Sequence, residues 1–370
     1  MKNLVFPNYQ HSLLNITSSI LKYYHVDLGY PTLNNLDQAL LKQPKNIVYI
    51  LIDALGSEIL KKHQDVADCL INHQIDTLTT VFPSTTTSAT TSALTGLPPI
   101  STGWIGWQQY IKEENSHVVF FLNKDFYHEE KIFSESISET YVKQKKIYDL
   151  ILENNKDVKV HEIFPAFSQP HHDSFTKQVD TCIDILSDRM NHFIYVYWDQ
   201  VDSKLHDYGT SSNIVKDEIR GVNEGFEKLL KSIDDDTLVI LTADHGQIDI
   251  EPIPLMSYSD IIGMLKIMPS IESRATAFHV KEEYLDVFPL KFNEYFGEHY
   301  ILYQSSELID MNLFGIGKEH SKFKEMIGDY FAIAINHYAF QLTDHSEHKA
   351  THAGLTKDEM LIPLITNGLK

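Results

Sequence analysis

NIVYILIDALG, Asn46 to Gly56, is a β-branched and aromatic run without polar alternation, closed by Asp53. A strand that reads this way is buried on both faces, as in a parallel sheet covered by helices. Two further stretches repeat the pattern: HFIYVYWDQVD, His192 to Asp202, and DTLVILTADHG, Asp236 to Gly246. Amphipathic helical patterns separate the runs. One is VKDEIRGVNEGFEKLLKSI, Val215 to Ile233, with Ile219, Val222, Phe226, Leu229 and Leu230 on one face. Strand and helix in alternation imply an α/β fold with a doubly wound, mostly parallel sheet flanked by helices. Each run ends in an acid: Asp53 after the first, Asp199 and Asp202 after the second, Asp244 after the third. Ligands of open parallel sheets bind at the carboxyl ends of the strands. Carboxylates gathered there repel one another unless something positive joins them, and a metal is the natural candidate.

The chain has 370 residues, 43% hydrophobic and 22% charged, with a formal net charge of -20. That is ordinary globular composition, long enough for a large core. The acidic balance argues against a nucleic acid polymer as partner but not against a small anionic substrate held at a local cation. Two cysteines, Cys69 and Cys182, are too few for a disulfide scaffold and fit a reducing compartment. The first residues, MKNLVFPNYQHSLL, lack the apolar core of a signal peptide, and no stretch approaches the ~18 apolar residues of a membrane span. The expectation is a soluble, cytoplasmic protein. Residues 1–250 and 344–370 are expected to form the core. Residues 251–343 mix short apolar pieces (KIMPS, RATAFHV, YILYQ) with two pieces that read as helical, EEYLDVFPLKFNEYFG and SKFKEMIGDYFAIAIN. They are expected to form a smaller inserted α/β subdomain near the site. THAGLTKDEMLIPLITNG, from Thr351, reads as a turn and a last core strand.

Asp53 alone reads equally as a cap for the next helix. Asp202 and His206 are four apart, so on a helical turn they share a face and could reach one ion. In isolation such a pair is more often a surface contact. Asp244 and His245 stand where a strand becomes a loop, and Gly246 permits the turn that lets both converge. The chain has 19 histidines; His171, His172, His345 and His348 read by default as solvated or locally satisfied.

The stretch VFPSTTTSATTSALTG, Val81 to Gly96, carries nine Ser or Thr in sixteen residues. An Asp after a first strand, this Thr-rich turn, Asp202 with His206, the Asp244-His245-Gly246 triplet and a late His352-Ala353-Gly354 follow in order. Together they resemble the alkaline phosphatase superfamily, most closely its type I phosphodiesterase/nucleotide pyrophosphatase branch. The resemblance spans roughly residues 46–366 and is weakest within 250–343. The family's nucleophile is a Thr three residues after a Pro and nine before the Thr of a Thr-Gly pair. Counting on from Pro83 and back from Thr95 both give Thr86. Ser84 then reads as the N-cap of a helix with Gly96 just past its end, and Thr86 as a residue at its phosphate-binding N-terminus.

The resemblance implies two divalent metal ions, usually zinc, with manganese or iron open by donor type. One would be held by Asp53, Thr86, Asp244 and His245, the other by Asp202, His206 and His352. His352 is preferred over His345 and His348 because it stands in HAGLTKDEMLIPL, which resembles the family's closing motif. The implied activity is hydrolysis of a small phosphate diester by in-line attack of a metal-activated Thr86 through a phospho-threonine intermediate. Many members carry an Asn three residues after the nucleophile; here that position is Ala89. A phosphomonoesterase or phosphonate hydrolase of the same superfamily is the alternative. A metal-binding module without activity is a further rival, disfavoured because all seven positions are filled. Trp104, Trp107 and Tyr110 are candidates for stacking a base or aryl group, or else core. Arg274 is a candidate for a second phosphate contact or for closing the insert over the site. Asp199 is a candidate partner for a ligand histidine, or only a strand-end carboxylate.

Overall fold

The computed structural model describes residues 4–165, 172–343 and 348–368. Among the described residues the central sheet has six strands. In spatial order these are Gln74–Thr79, Leu361–Thr366, Thr237–Thr242, Asn46–Ile52, Asn191–Trp198 and Val158–Ile163. Asn46–Ile52 lies at the middle, parallel to both neighbours, with Ile50 opposite Val196 on one side and Leu241 on the other. All seven of its residues are buried, as a run without alternation requires when both faces are covered. The last strand, Leu361–Thr366, closes the sheet antiparallel to Thr237–Thr242 and Gln74–Thr79, so the sheet is largely parallel with an antiparallel edge.

Helices cover it. Asn213–Ser232 buries Ile219, Val222, Phe226 and Leu229 of the face read from the sequence, with Leu230 partly buried, and Val215 besides. It packs with Phe175–Leu186, whose ring at Phe175 meets Gly225 so closely that a β-carbon there would sit 2.6 Å away. Cys69 and Cys182 are both free. Among the described residues no helix is long and apolar enough to cross a membrane.

A second, seven-stranded sheet stands beside the first. Four strands are Leu265–Ile271, Ala275–Val280, Tyr300–Gln304 and Tyr330–Ala334. Three more, Gln108–Ile111, Ser116–Val119 and Lys124–Asp125, come from outside the 251–343 segment expected to build the smaller unit. The piece SKFKEMIGDYFAIAIN is not one helix. It forms a single turn, Phe323–Met326, then the strand Tyr330–Ala334 between two antiparallel neighbours. Gly328 divides them: its φ is +68, and a β-carbon would meet the Phe278 carbonyl oxygen at 2.6 Å. Beyond it the apolar YFAIA run, buried throughout, is satisfied better by two strand partners than by a helix of its own.

Candidate metal centre and nucleophile

Three strands of the central sheet deliver their next residues to one edge. Asp53 follows Ile52 and its N–H donates to the Trp198 carbonyl at 2.8 Å. Asp202 lies in the first turn of the helix Gln200–Tyr208. Asp244 lies two residues past Thr242. The Ser/Thr run becomes the helix Thr86–Thr95, ended by Gly96 at φ 69. Its N-cap is Thr85, not Ser84. The Ser84 hydroxyl instead donates to the Gly354 carbonyl at 2.7 Å, and the Ser84 carbonyl accepts from Ala353 N–H at 2.9 Å. Ser84 thereby ties the Thr86 turn to the segment carrying His352.

Thr86 Oγ1 stands 3.4 Å from Asp53 Oδ1 and 3.1 Å from His245 Nε2. His245 Nε2 lies 3.4 Å from Asp53 Oδ1 and 3.6 Å from Asp244 Oδ2. In the second group His206 Nε2 lies 3.4 Å from Asp202 Oδ2, and His352 Nε2 lies 3.9 Å from Asp202 Oδ1. The groups adjoin through the stacked rings of His245 and His352, centroids 4.0 Å apart. All seven sequence-predicted residues therefore meet at one place. Of the other histidines, His348 packs on His206 with ring centroids 4.3 Å apart. His172 is tied to Phe164 and Thr181 elsewhere. His171 and His345 lie outside the described residues.

The donor set fits divalent cations. Within each group, Asp53/Asp244/His245 and Asp202/His206/His352, the ligand atoms lie within 4.8 Å of one another. Asp244 is fully buried, yet its Oδ2 has no hydrogen-bond partner among the described residues. Burial, then the charges of Asp244 and Asp202, push the Asp53 carboxyl well above its ordinary value; burial raises Asp244 as well. Burial, with neighbouring histidines, holds His352 well below its ordinary value and so neutral, the form that binds metal. The imidazoles are oriented from behind: His206 Nδ1 by the Ala350 carbonyl at 2.8 Å, His245 Nδ1 by the Gly246 carbonyl at 3.0 Å. That leaves each Nε2 facing its carboxylate. Gly246 is needed for close approach rather than for a left-handed turn: a β-carbon there would lie 2.1 Å from the Asp358 carbonyl oxygen.

Several supporting residues escape sequence reading. Tyr197 donates its hydroxyl to Asp53 Oδ2, Gln247 its amide to Asp202 Oδ1, and Thr80 its hydroxyl to the Asp244 carbonyl. Tyr197 lay in view as an apolar strand residue; nothing local announces that its hydroxyl crosses to the neighbouring strand. Glu272, at the turn between two strands of the second sheet, accepts from Thr85 Oγ1 at 2.6 Å.

Other expectations are corrected. Arg274 is fully buried and paired with Glu359, Nε to Oε1 at 2.7 Å and Nη2 to Oε2 at 2.8 Å, so it is structural and does not reach into the cleft. The Asp199 carboxylate accepts from the Gln200 amide at 3.0 Å and pairs with no histidine among the described residues. Of the three aromatics only Trp107 lines the cleft. Trp104 packs on Phe120 and Phe121, and the Tyr110 hydroxyl donates to Asn115. Ala89 is fully buried in the core beneath the helix; a longer side chain there would point into packing.

A largely parallel sheet with two Asp/His groups at its carboxyl edge, beside a helix that begins with Thr, defines the alkaline phosphatase superfamily. Within it, the chain belongs to the type I phosphodiesterase / nucleotide pyrophosphatase family, whose model matches residues 47–355. Solved structures with the same fold include murine ectonucleotide pyrophosphatase/phosphodiesterase 5, 17% identical with a TM-score of 0.62 over 86% of this chain and 87% of that one. An inactive threonine-to-alanine form of the murine protein in complex with AMP is 16% identical, with a TM-score of 0.60 over 86% and 87%. Phosphonoacetate hydrolase from Sinorhizobium meliloti 1021, in complex with phosphonoformate, is 13% identical with a TM-score of 0.62 over 88% and 90%. A comparison with curated proteins yields no significant match.

Proposed function

We propose that the protein hydrolyses small phosphate diesters with Thr86 as nucleophile. The observation that carries this is the placement of Thr86 Oγ1: partly exposed at the start of a ten-residue helix, within 3.4 Å of Asp53 and 3.1 Å of His245. Two divalent cations would be held by Asp53, Asp244 and His245 with Thr86, and by Asp202, His206 and His352. Zinc suits these donors, with manganese or iron also compatible, and when bound such ions lower the hydroxyl's pKa and neutralise phosphoryl charge.

Thr86 Oγ1 forms the new bond to phosphorus, the leaving alcohol departs on the opposite side, and the enzyme carries phospho-threonine. Water then breaks that bond and restores the hydroxyl. Unpaired N–H groups of the first helical turn face the phosphoryl oxygens. The side chains around the cleft favour a diester: among the described residues no Lys or Arg lines it to answer the second charge of a monoester. The inactive threonine-to-alanine form of the murine neighbour supports a threonine in this role. The likeness to phosphonoacetate hydrolase keeps phosphonates as the second reading.

The test compares bis-p-nitrophenyl phosphate, p-nitrophenyl phosphate and phosphonoacetate with zinc present. The diester should be fastest, and Thr86→Ala should lose at least roughly 10³-fold in kcat with the cation content retained. Retained turnover in that variant removes the nucleophile; a faster monoester or phosphonate changes the substrate class.

A further inference from the structure

Thr85 is the N-cap of the helix that carries Thr86, with φ -138 and ψ 149, yet its hydroxyl makes no capping bond. A threonine in that position ordinarily accepts from the N–H of the second or third helical residue and so closes the first turn. Here the hydroxyl is turned away from the helix and donates to Glu272 Oε1 at 2.6 Å. The N–H groups of Thr86, Thr87 and Ser88 have no acceptor among the described residues. The first turn is therefore left open at the place where Thr86 meets Asp53 and His245.

Glu272 is itself held firmly. It stands at the turn between the strands Leu265–Ile271 and Ala275–Val280. Its N–H donates to the Ala275 carbonyl at 3.0 Å, and its own carbonyl accepts from the Thr276 hydroxyl at 2.6 Å. Oε1 accepts from Trp107 N–H at 2.7 Å as well as from Thr85. The residue before it, Ile271, has φ 84. A β-branched side chain is strained on left-handed backbone, and such strain persists only where the surroundings impose it, often at functional sites. The surroundings here are tight: Ile271 pairs with Gln108, and a β-carbon on Gly106 would lie 2.6 Å from Ile271 Cγ2. The strained residue turns the chain out of its strand, and Glu272 comes next.

We propose that Glu272 is a positioning residue: by taking the Thr85 hydroxyl it keeps the first turn of the Thr86 helix uncapped, so that its N–H groups are free for phosphoryl oxygens. This rests on the phosphate site proposed above at Thr86. With no acceptor at position 272, Thr85 Oγ1 turns back onto the first-turn N–H groups, and a phosphoryl group must displace it. The role asks for an acceptor and not for a charge, which separates it from any electrostatic effect of the carboxylate.

The experiment uses the zinc-loaded protein and inorganic phosphate, with affinity read by calorimetry. Glu272→Gln and Glu272→Ala both remove the charge, but only the amide keeps an acceptor for the Thr85 hydroxyl. Phosphate should bind roughly fivefold more weakly to Glu272→Ala than to Glu272→Gln, a ratio set by one N-cap interaction. Glu272→Leu, which fills the space without an acceptor, should match Glu272→Ala and takes its place if that variant does not fold. Thr85→Val keeps the shape but cannot cap the helix, so adding it to each variant should erase the difference between them. Equal affinities of the acceptor-bearing and acceptor-free proteins overturn the proposal. A difference that survives Thr85→Val also overturns it, because it then runs through the Trp107 N–H. Hydrolysis of bis-p-nitrophenyl phosphate is measured alongside. No turnover with the phosphate pattern intact refutes the diester reading and upholds the positioning role; a wild type that binds no phosphate overturns the positioning role whatever its turnover.

Discussion

Arg274 and Glu359 form a fully buried ion pair that joins the second sheet to the segment bearing His352. Arg274 also donates through Nη1 to the carbonyls of Asn336 and Tyr338 at 2.7 and 2.6 Å. Glu359 accepts in addition from Gly354 N–H at 2.7 Å and from the Thr356 hydroxyl at 2.6 Å. Arg274→Met removes one partner and leaves a carboxylate buried without its cation, which costs about 3–5 kcal/mol. With 370 residues and an unfolding entropy of roughly 2.1 cal/mol/K per residue, the slope is about 0.8 kcal/mol/K, so Tm should fall by about 4–6 °C. The pH dependence carries a sign. Burial alone would raise the Glu359 carboxyl, but the Arg274 charge and hydrogen bonds outweigh it and hold it below the ordinary value. In the wild type the stability this gives is present above the unfolded pKa and is lost as pH falls through the folded one. In Arg274→Met the carboxyl moves up, so its penalty at pH 7 fades on acidification. The Tm gap between the two proteins should therefore narrow from pH 7 to pH 5. Adding Glu359→Gln should restore part of the loss, because the neutral amide needs no cation. Circular dichroism melts of the metal-loaded proteins measure all three. A gap below about 1 °C, or one that does not change with pH, refutes the reasoning.

Tyr197→Phe removes the hydroxyl that holds Asp53 and should weaken cation affinity about 10–100-fold in a chelator competition; unchanged affinity would show that Asp53 is positioned without it. Gly246→Ala places a β-carbon 2.1 Å from the Asp358 carbonyl oxygen and should cost at least about 2 kcal/mol, or about 2–3 °C in Tm, whereas a higher Tm would mean that the contact relaxes freely. Chelation should destabilise the protein, and more so at high pH. Asp53, raised by burial and then by the charges of Asp244 and Asp202, and Asp244, raised by burial, hold protons in the folded state that the unfolded chain gives up, so the metal-free protein loses stability as pH rises. Metal-free melts at pH 6 and pH 8 that coincide would argue against it.

What the sequence made legible has a common physical cause. Asp53, Asp244 and His245 are placed by their own strands, and Asp202 and His206 by the helix directly after one. Their convergence follows from three parallel neighbours whose ends are in register. Gly96 was legible for a similar reason, since its role is set within one helix end. Arg274 was not: nothing in ESRATAF says that its partner is Glu359, which lies 85 positions further on. Tyr197 reaches 144 positions back to Asp53, and Glu272 reaches 187 back to Thr85. The YFAIA strand was misread because its apolar residues suit either periodicity. Its two strand neighbours decide the matter, and neither adjoins it in sequence. The division has a functional consequence. Asp53, Asp202, His206, Asp244 and His245 are locally placed and so can persist while what surrounds them changes, whereas Thr86 and His352 were legible only through the family's motifs. The wall beside Thr86 is assembled from Trp107 and from the turn at Glu272, which the second sheet brings together across 165 positions. Substitutions at Trp107 or Glu272, which line the cleft, should therefore alter which ester is cleaved before they alter whether the Thr86 chemistry occurs, and the ratio of kcat/KM for bis-p-nitrophenyl phosphate and p-nitrophenyl phosphate in Trp107→Ala against the wild type measures that separation.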